Sequence, residues 1–186
     1  MFSDGSMIWP AGLQTTEGAV AGPDPDSNMT FRFAGSRGFL TPTPAAEQGV
    51  IYAAHGDRIR AVQTDDGALL WEREIGSSVA SSVSLAWGTI YLGCTDGTVR
   101  AFSCRDGLPL FRASMGQGPI FASPVLFDGQ LLVATGEGKL LLLDAFSGTV
   151  LAEDGRLSGT PIDATPAVWP GGILTVNRAG KMVCFE

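Results

Sequence analysis

GVIYAAHGDRIRAVQTDDGALLW, residues 49–71, is the stretch that decides the fold. Two runs rich in apolar, β-branched and aromatic residues flank the turn His55-Gly56-Asp57. Asp66-Gly67 then turns the chain again, toward Leu69-Leu70-Trp71. Short apolar runs bounded by Gly and Asp read as antiparallel strands joined by tight turns, because glycine accepts the positive φ that such turns require. The stretch returns as GTIYLGCTDGTVRAFSCRDGLPLF at 88–111 and as GQLLVATGEGKLLLLDAFSGTVLA at 129–152. A shorter copy, GGILTVNRAGKMVCFE, covers 171–186. The copies begin at Gly49, Gly88, Gly129 and Gly171. A period of about 40 residues made of short strands is the mark of a β-propeller blade.

Outward from these copies, each unit is preceded by an inner strand, expected at 39–46, 79–86, 120–127 and 162–168. Three of them carry a Thr/Ser-Pro step: Thr43-Pro44, Ser123-Pro124 and Thr165-Pro166. Proline belongs on strand edges, and the strand nearest a propeller axis is an edge. DGSMIW at 4–9 matches DGALLW at 66–71. Residues 1–9 therefore read as the last strand of a blade, either a latch or a remnant, and 10–38 as an inserted loop. Residues 39–186 read as the propeller repeats. The chain ends in the phase in which it begins. A small closed ring, half of a ring completed by a second copy, and a fragment of a seven- or eight-bladed propeller all fit that phase. No helix is expected.

Apolar residues make up 45% and charged residues 17% of the 186, which places the chain among globular proteins. A formal charge of −7 with no basic face argues against nucleic acid as a partner. No run of about 18 apolar residues is present, so no helical membrane span is expected. The opening MFSDGSMIWPAG lacks the basic head and apolar run of a signal peptide. Cys94, Cys104 and Cys184 are odd in number and irregular in spacing, which implies no disulfide framework, and they read as small buried hydrophobes.

A third strand and turn of the form Ala-x-Asp-x-x-x-Gly-x-x-x-Trp recurs as Ala61, Gln63, Gly67, Trp71, then as Ala101, Ser103, Gly107, Phe111, then as Leu142, Asp144, Gly148, Ala152. This pattern resembles the tryptophan-docking repeat of the PQQ-like (quinoprotein-like) β-propellers. The resemblance implies an all-β propeller of four such blades, with Trp9, Trp71 and Phe111 docking between blades and Gly67, Gly107 and Gly148 in the turns. Gln63, Ser103 and Ala152 depart from it, and packing at Ala152 is expected to be weaker. Trp87 and Trp169, between the inner and second strands, read as inter-strand packing.

For chemistry the residues offer little. His55 is the single histidine and has no identifiable Ser or Cys partner, so no triad is supported. No phosphate-binding glycine loop occurs. Arg60 and Arg100 share one repeat position, which suits an acidic-ligand groove or solvent-facing strand positions. Loops at one end of the propeller are expected to form a tunnel mouth, with His55, Asp96, Phe121, Asp163 and Arg178 as candidate ligand-binding residues and no metal site. The resemblance leaves three functions open. The first is a non-catalytic binding or scaffold propeller for a protein or peptide, with a homodimer as one way to complete the ring. The second is a fragment of a PQQ-dependent dehydrogenase, the one case that calls for PQQ and Ca²⁺ as cofactors. The third is a sensor propeller of a larger enzyme. The family also implies a periplasmic or other extracytoplasmic setting.

Overall fold

In a computed structural model, the described residues are 42–185, together with the backbone of β1 (Phe2–Ser3) and β2 (Ser6–Met7), which pair with each other antiparallel. The readings of 1–9 as a blade's last strand and of 10–38 as an inserted loop, and with them Trp9, otherwise lie outside the described residues.

The described chain is all-β: four PQQ-like propeller blades, each an antiparallel sheet. The first blade holds β3 (Ala45–Glu47), β4 (Val50–His55), β5 (Arg58–Gln63) and β6 (Leu69–Glu74). The second holds β7 (Ser84–Ala86), β8 (Thr89–Gly93), β9 (Thr98–Ser103) and β10 (Pro109–Ser114). The third holds β11 (Val125–Phe127), β12 (Gln130–Ala134), β13 (Leu140–Asp144) and β14 (Val150–Asp154). The fourth holds β15 (Ala167–Trp169), β16 (Gly172–Val176) and β17 (Met182–Phe185). Within each sheet the strands pair in sequence order, as successive hairpins dictate.

Successive side chains of a strand point to opposite faces. The two middle strands of a blade lie between two neighbouring sheets, so both faces must be apolar, and the sequence reads as nearly continuous hydrophobic runs. Tyr52, Ala54, Ile59 and Ala61 of the first blade meet Ile90, Leu92 and Phe102 of the second. Tyr91, Val99 and Ala101 turn the other way, toward Leu131, Val133 and Leu143 of the third. Leu132, Ala134 and Leu140 then face Ile162 and the half-buried Ile173 and Val183 of the fourth. Each junction thus has its own core, and each fully buried Ile or Leu contributes about 1.5–3 kcal/mol.

The docking aromatics close the first two junctions. Trp71 lies opposite Ala61 in register, and its indole N–H donates to the Cys104 carbonyl of the next blade at 3.1 Å. Its ring covers Gly107, where an added Cβ would fall 2.6 Å from Cε3. Phe111 covers Gly148 in the same way, at 2.5 Å. Tyr52 and Tyr91 add a second ring at each junction, their hydroxyls donating to the carbonyls of Cys104 and Ala145. At the third junction Ala152 takes the aromatic's place and Leu132 the tyrosine's, so neither ring is present.

The inner strands are shorter than the sequence suggests, starting at Ala45, Ser84, Val125 and Ala167. The residues just before them give no N–H to the ladder: in the second blade Val83 N–H donates to the Thr43 carbonyl of the first, and the other three have proline. Pro44, Pro124 and Pro166 have no N–H to give to a ladder. The neighbouring N–H groups cross to the next blade instead: Thr43 N–H donates to Ser82 Oγ, Ser82 N–H to Ser123 Oγ, and Ser123 N–H to Thr165 Oγ1. These bonds link all four blades hydroxyl by hydroxyl, Ser123 and Thr165 coming from the Thr/Ser-Pro step and Ser82 from the Ser-Val step in its place.

Candidate functional site

The blades have two distinct ends. At the upper end, the turns between second and third strands meet the connections from one blade to the next. Ile75 N–H donates to Asp57 O, Met115 N–H to Gly97 O, and Gly159 N–H to Glu137 O. Backbone bonds of this kind hold the connections onto the turns and make the upper end a fixed surface. At the lower end lie the turns from first to second strand and from third to fourth.

All the candidate residues among His55, Asp96, Phe121, Asp163 and Arg178 sit at the upper end. His55 ends β4 and is half-buried, as is Phe121. Asp163 and Arg178, fifteen positions apart, are brought together: Arg178 Nε donates to Asp163 Oδ2 at 2.7 Å. Asp96 receives Arg100 at 2.7 Å and Arg112 at 3.2 Å, and its Oδ1 also accepts from Thr98. Burial pushes the Asp96 carboxyl up, but the bonds from Thr98 and Arg100 outweigh it and hold the group below its ordinary value. The upper end therefore carries several charges that pair with one another, although Asp163 Oδ1 is buried without a hydrogen-bond partner.

The matched arginines form neither a free groove nor a solvent-facing pair. Arg60 is buried and pairs with Glu72, which also receives Arg58 at 2.6 Å. Arg100 is buried as well, donating to Asp96, Thr98 and the Ile75 carbonyl. Each neutralises a carboxylate of its own blade, and Leu141 holds the corresponding place in the third.

The three cysteines also divide. Cys94 is fully buried in the first junction and Cys104 half-buried, but Cys184 is exposed. It lies on the face of the fourth blade equivalent to Ala61 and Ala101, which other blades cover. Trp169 packs between strands as expected, its ring over Gly172, its partner on β16, although 43% of it stays exposed. Trp87 does not: it is half exposed and occupies a left-handed turn position at φ 50° with its ring against Phe146 of the next blade, centroids 5.6 Å apart. A glycine or asparagine would be the ordinary choice there, so no propensity rule finds this tryptophan.

The donor set does not fit the calcium–quinone pair that the dehydrogenase reading calls for. Among the described residues no three His, Cys, Asp or Glu side chains converge on a point. Asp163, the acidic residue at an inner strand's start, is committed to Arg178. The cysteines are far apart in sequence, with no adjacent pair.

Two roles escaped sequence reasoning. The turn glycines 107 and 148 serve twice, once for positive φ and once as the floor under the neighbouring blade's ring. The signal was present in the fixed offset between glycine and aromatic, but it reads as one blade's hairpin and not as a contact between blades.

Comparison with known proteins agrees with this architecture. Residues 2–186 match the family model described as outer membrane protein assembly factor BamB. The protein of that name from Salmonella typhimurium (strain LT2) is 28% identical over 183 residues, 98% of this chain and 43% of the relative. The crystal structure of BamB from Moraxella catarrhalis superposes with a TM-score of 0.70 at 19% identity, covering 78% of this chain and 46% of that one. The computationally designed Ika4 protein gives a TM-score of 0.70 at 16% identity, covering 82% and 93%. At these identities the two structures speak for the fold. The chain spans less than half the length of the curated relatives it matches.

Proposed function

We propose that this chain, which belongs to the family described as outer membrane protein assembly factor BamB, is a non-catalytic scaffold that binds other polypeptides during assembly of outer-membrane proteins. The coarser part of this reading, a protein-binding propeller scaffold, is what the family and its relatives support. The finer part rests on the relatives' name and on one observation. The blades are locked to one another at the axis by the Thr43–Ser82–Ser123–Thr165 hydroxyl chain and, at the first two junctions, by docking rings at the flanks, so that side chains at both ends are held at fixed spacings. A rigid frame with exposed turns suits recognition, since binding then orders little.

The test has two arms. In the first, the purified chain is immobilised and an outer-membrane barrel polypeptide, diluted from urea, is passed over it beside soluble proteins of similar charge. Saturable binding of the barrel polypeptide alone is expected. In the second, the chain is titrated with PQQ and Ca²⁺ by calorimetry and assayed with alcohols and a redox dye. Stoichiometric PQQ binding with turnover would replace the scaffold by the dehydrogenase reading. Loss of both signals would refute assembly of outer-membrane proteins as the role.

A further inference from the structure

The described apolar surface is concentrated at one end of the molecule. Every exposed large hydrophobic side chain except Met182 lies in the lower half. Leu70, Leu110 and Leu151, between 48% and 53% exposed, hold the same repeat position, and each is the extra residue of a β-bulge in the outermost strand of its blade. Bulges commonly shield edge strands from pairing, usually with charged residues at the rim. Here the rim is leucine. Trp87, Phe146 and Trp169 continue the apolar surface across the lower end itself. Trp87 is held there in a backbone conformation that disfavours a bulky residue.

Two hollows open at this end, one on either side of the second junction. The one between the third and fourth blades encloses about 700 Å³ and is walled by Phe127, Trp169 and Phe185 with Asp128 at its lip. The other, between the first and second blades, encloses about 660 Å³ and is walled by Tyr52 and Trp87 with Glu47 and Arg105 at its lip. Each joins aromatic faces to a carboxylate, with no cation in the lining of the first and Arg105 in that of the second; the first above all suits a side chain with an apolar stem and a cationic head.

Charge points the same way. Among the described residues, every ion pair lies in the upper half. The lower turns carry Glu47, Asp65, Asp66, Asp106, Asp128 and Asp144. Against them stands Arg105, with Arg73 reaching in to the Asp106 carbonyl. A surface of apolar rings and leucines ringed by carboxylates that form no salt bridge among the described residues repels phosphate and anionic lipid and complements a basic apolar chain.

We infer that the lower end is the docking surface for a cationic, amphipathic polypeptide segment, with apolar anchors in the two hollows and Lys or Arg heads on Asp128 and Glu47. This rests on the scaffold reading and deepens it by naming the face and the chemistry of the partner.

The probes are a fluorescein-labelled peptide of Lys, Leu and Phe, its counterpart with Glu in place of Lys, and phosphatidylglycerol vesicles. Anisotropy of the Lys peptide is expected to saturate and to weaken with added salt. The double variant Glu47→Gln/Asp128→Asn, and separately Trp169→Ser, are expected to weaken it about tenfold or more. The upper-end variant Asp163→Asn/Arg178→Gln is expected to bind as the parent does. These side chains are exposed or at the surface, and unchanged melting temperatures confirm that the fold is retained. Equal binding of the Glu peptide, adsorption to the vesicles, or loss in the upper-end variant alone overturns the assignment. In the last case the scaffold reading survives and only the face is wrong. If neither peptide binds and the barrel polypeptide is also ignored, both readings fail together.

Discussion

The ring of Trp71 lies on Gly107 of the neighbouring blade so closely that a Cβ on that glycine would stand 2.6 Å from the indole. Gly107 also has φ 68°, which an L side chain disfavours. Gly107→Ala is therefore expected to cost about 2–4 kcal/mol, part backbone and part overpacking. Trp71→Ala should cost about 3–5 kcal/mol by cavity formation. The two effects are not independent. With the indole gone the overpacking vanishes, so Gly107→Ala in the Trp71→Ala background should lose only its backbone part. Urea unfolding of the four proteins measures the cycle. Strict additivity would show that ring and glycine do not meet.

The hydroxyl chain at the axis gives a second expectation. Ser123 Oγ accepts the Ser82 N–H at 3.2 Å. Ser123→Ala leaves that partly buried donor without its partner and should cost about 1 kcal/mol, whereas Ser123→Thr keeps the acceptor. Equal loss in both variants would assign the effect to packing and remove the hydrogen bond from the account.

Acid should weaken the first two blades by way of their ion pairs. Burial pushes the Glu72 carboxyl up, yet hydrogen bonds from Arg60 and Arg58 carry it below its ordinary 4.5. Asp96 is likewise held below 3.8. A carboxyl depressed on folding contributes stability that is full above its unfolded pKa and is lost as pH falls through its folded one. The melting temperature should therefore hold above about pH 5 and decline from there toward pH 2. Glu72→Gln should start lower at neutral pH and decline less. A parallel decline in the two proteins would mean that Glu72 does not titrate on unfolding.

Thiol reactivity reports on the junctions directly. Cys94 is fully buried, and that burial, with Asp96 nearby, pushes its thiol up to about 11. Cys184 is exposed on the fourth blade's outer face. Iodoacetamide at neutral pH should label Cys184 first, Cys104 slowly, and Cys94 only once the protein unfolds. Mass spectrometry of digests over time gives the order. Early labelling of Cys94 would show that the core of the first junction is open.

The repeat, its strands and its turns were legible in the residues themselves. Alternation fixes which side chains share a face, and Gly56, Gly97 and Gly138 mark turns whose φ few other residues adopt. The middle strands and the turns agree with the spacing to within a residue or two, because both are set by local geometry. The inner strands do not, since the partners of Thr43, Ser82 and Ser123 are hydroxyls in the next blade, some 40 positions away. The candidate site shows the same division. Sequence brought the upper turns together but could not foresee that Asp163 would find Arg178, or that Asp96 would take up Arg100 and Arg112. Nor does composition reveal that the ion pairs among the described residues collect at one end while the exposed rings and the carboxylates of the lower turns gather at the other. Charge balance is a property of the whole chain, whereas pairing depends on distance. Only the stacking of blades decides which charges come within reach of one another and which apolar faces find a cover.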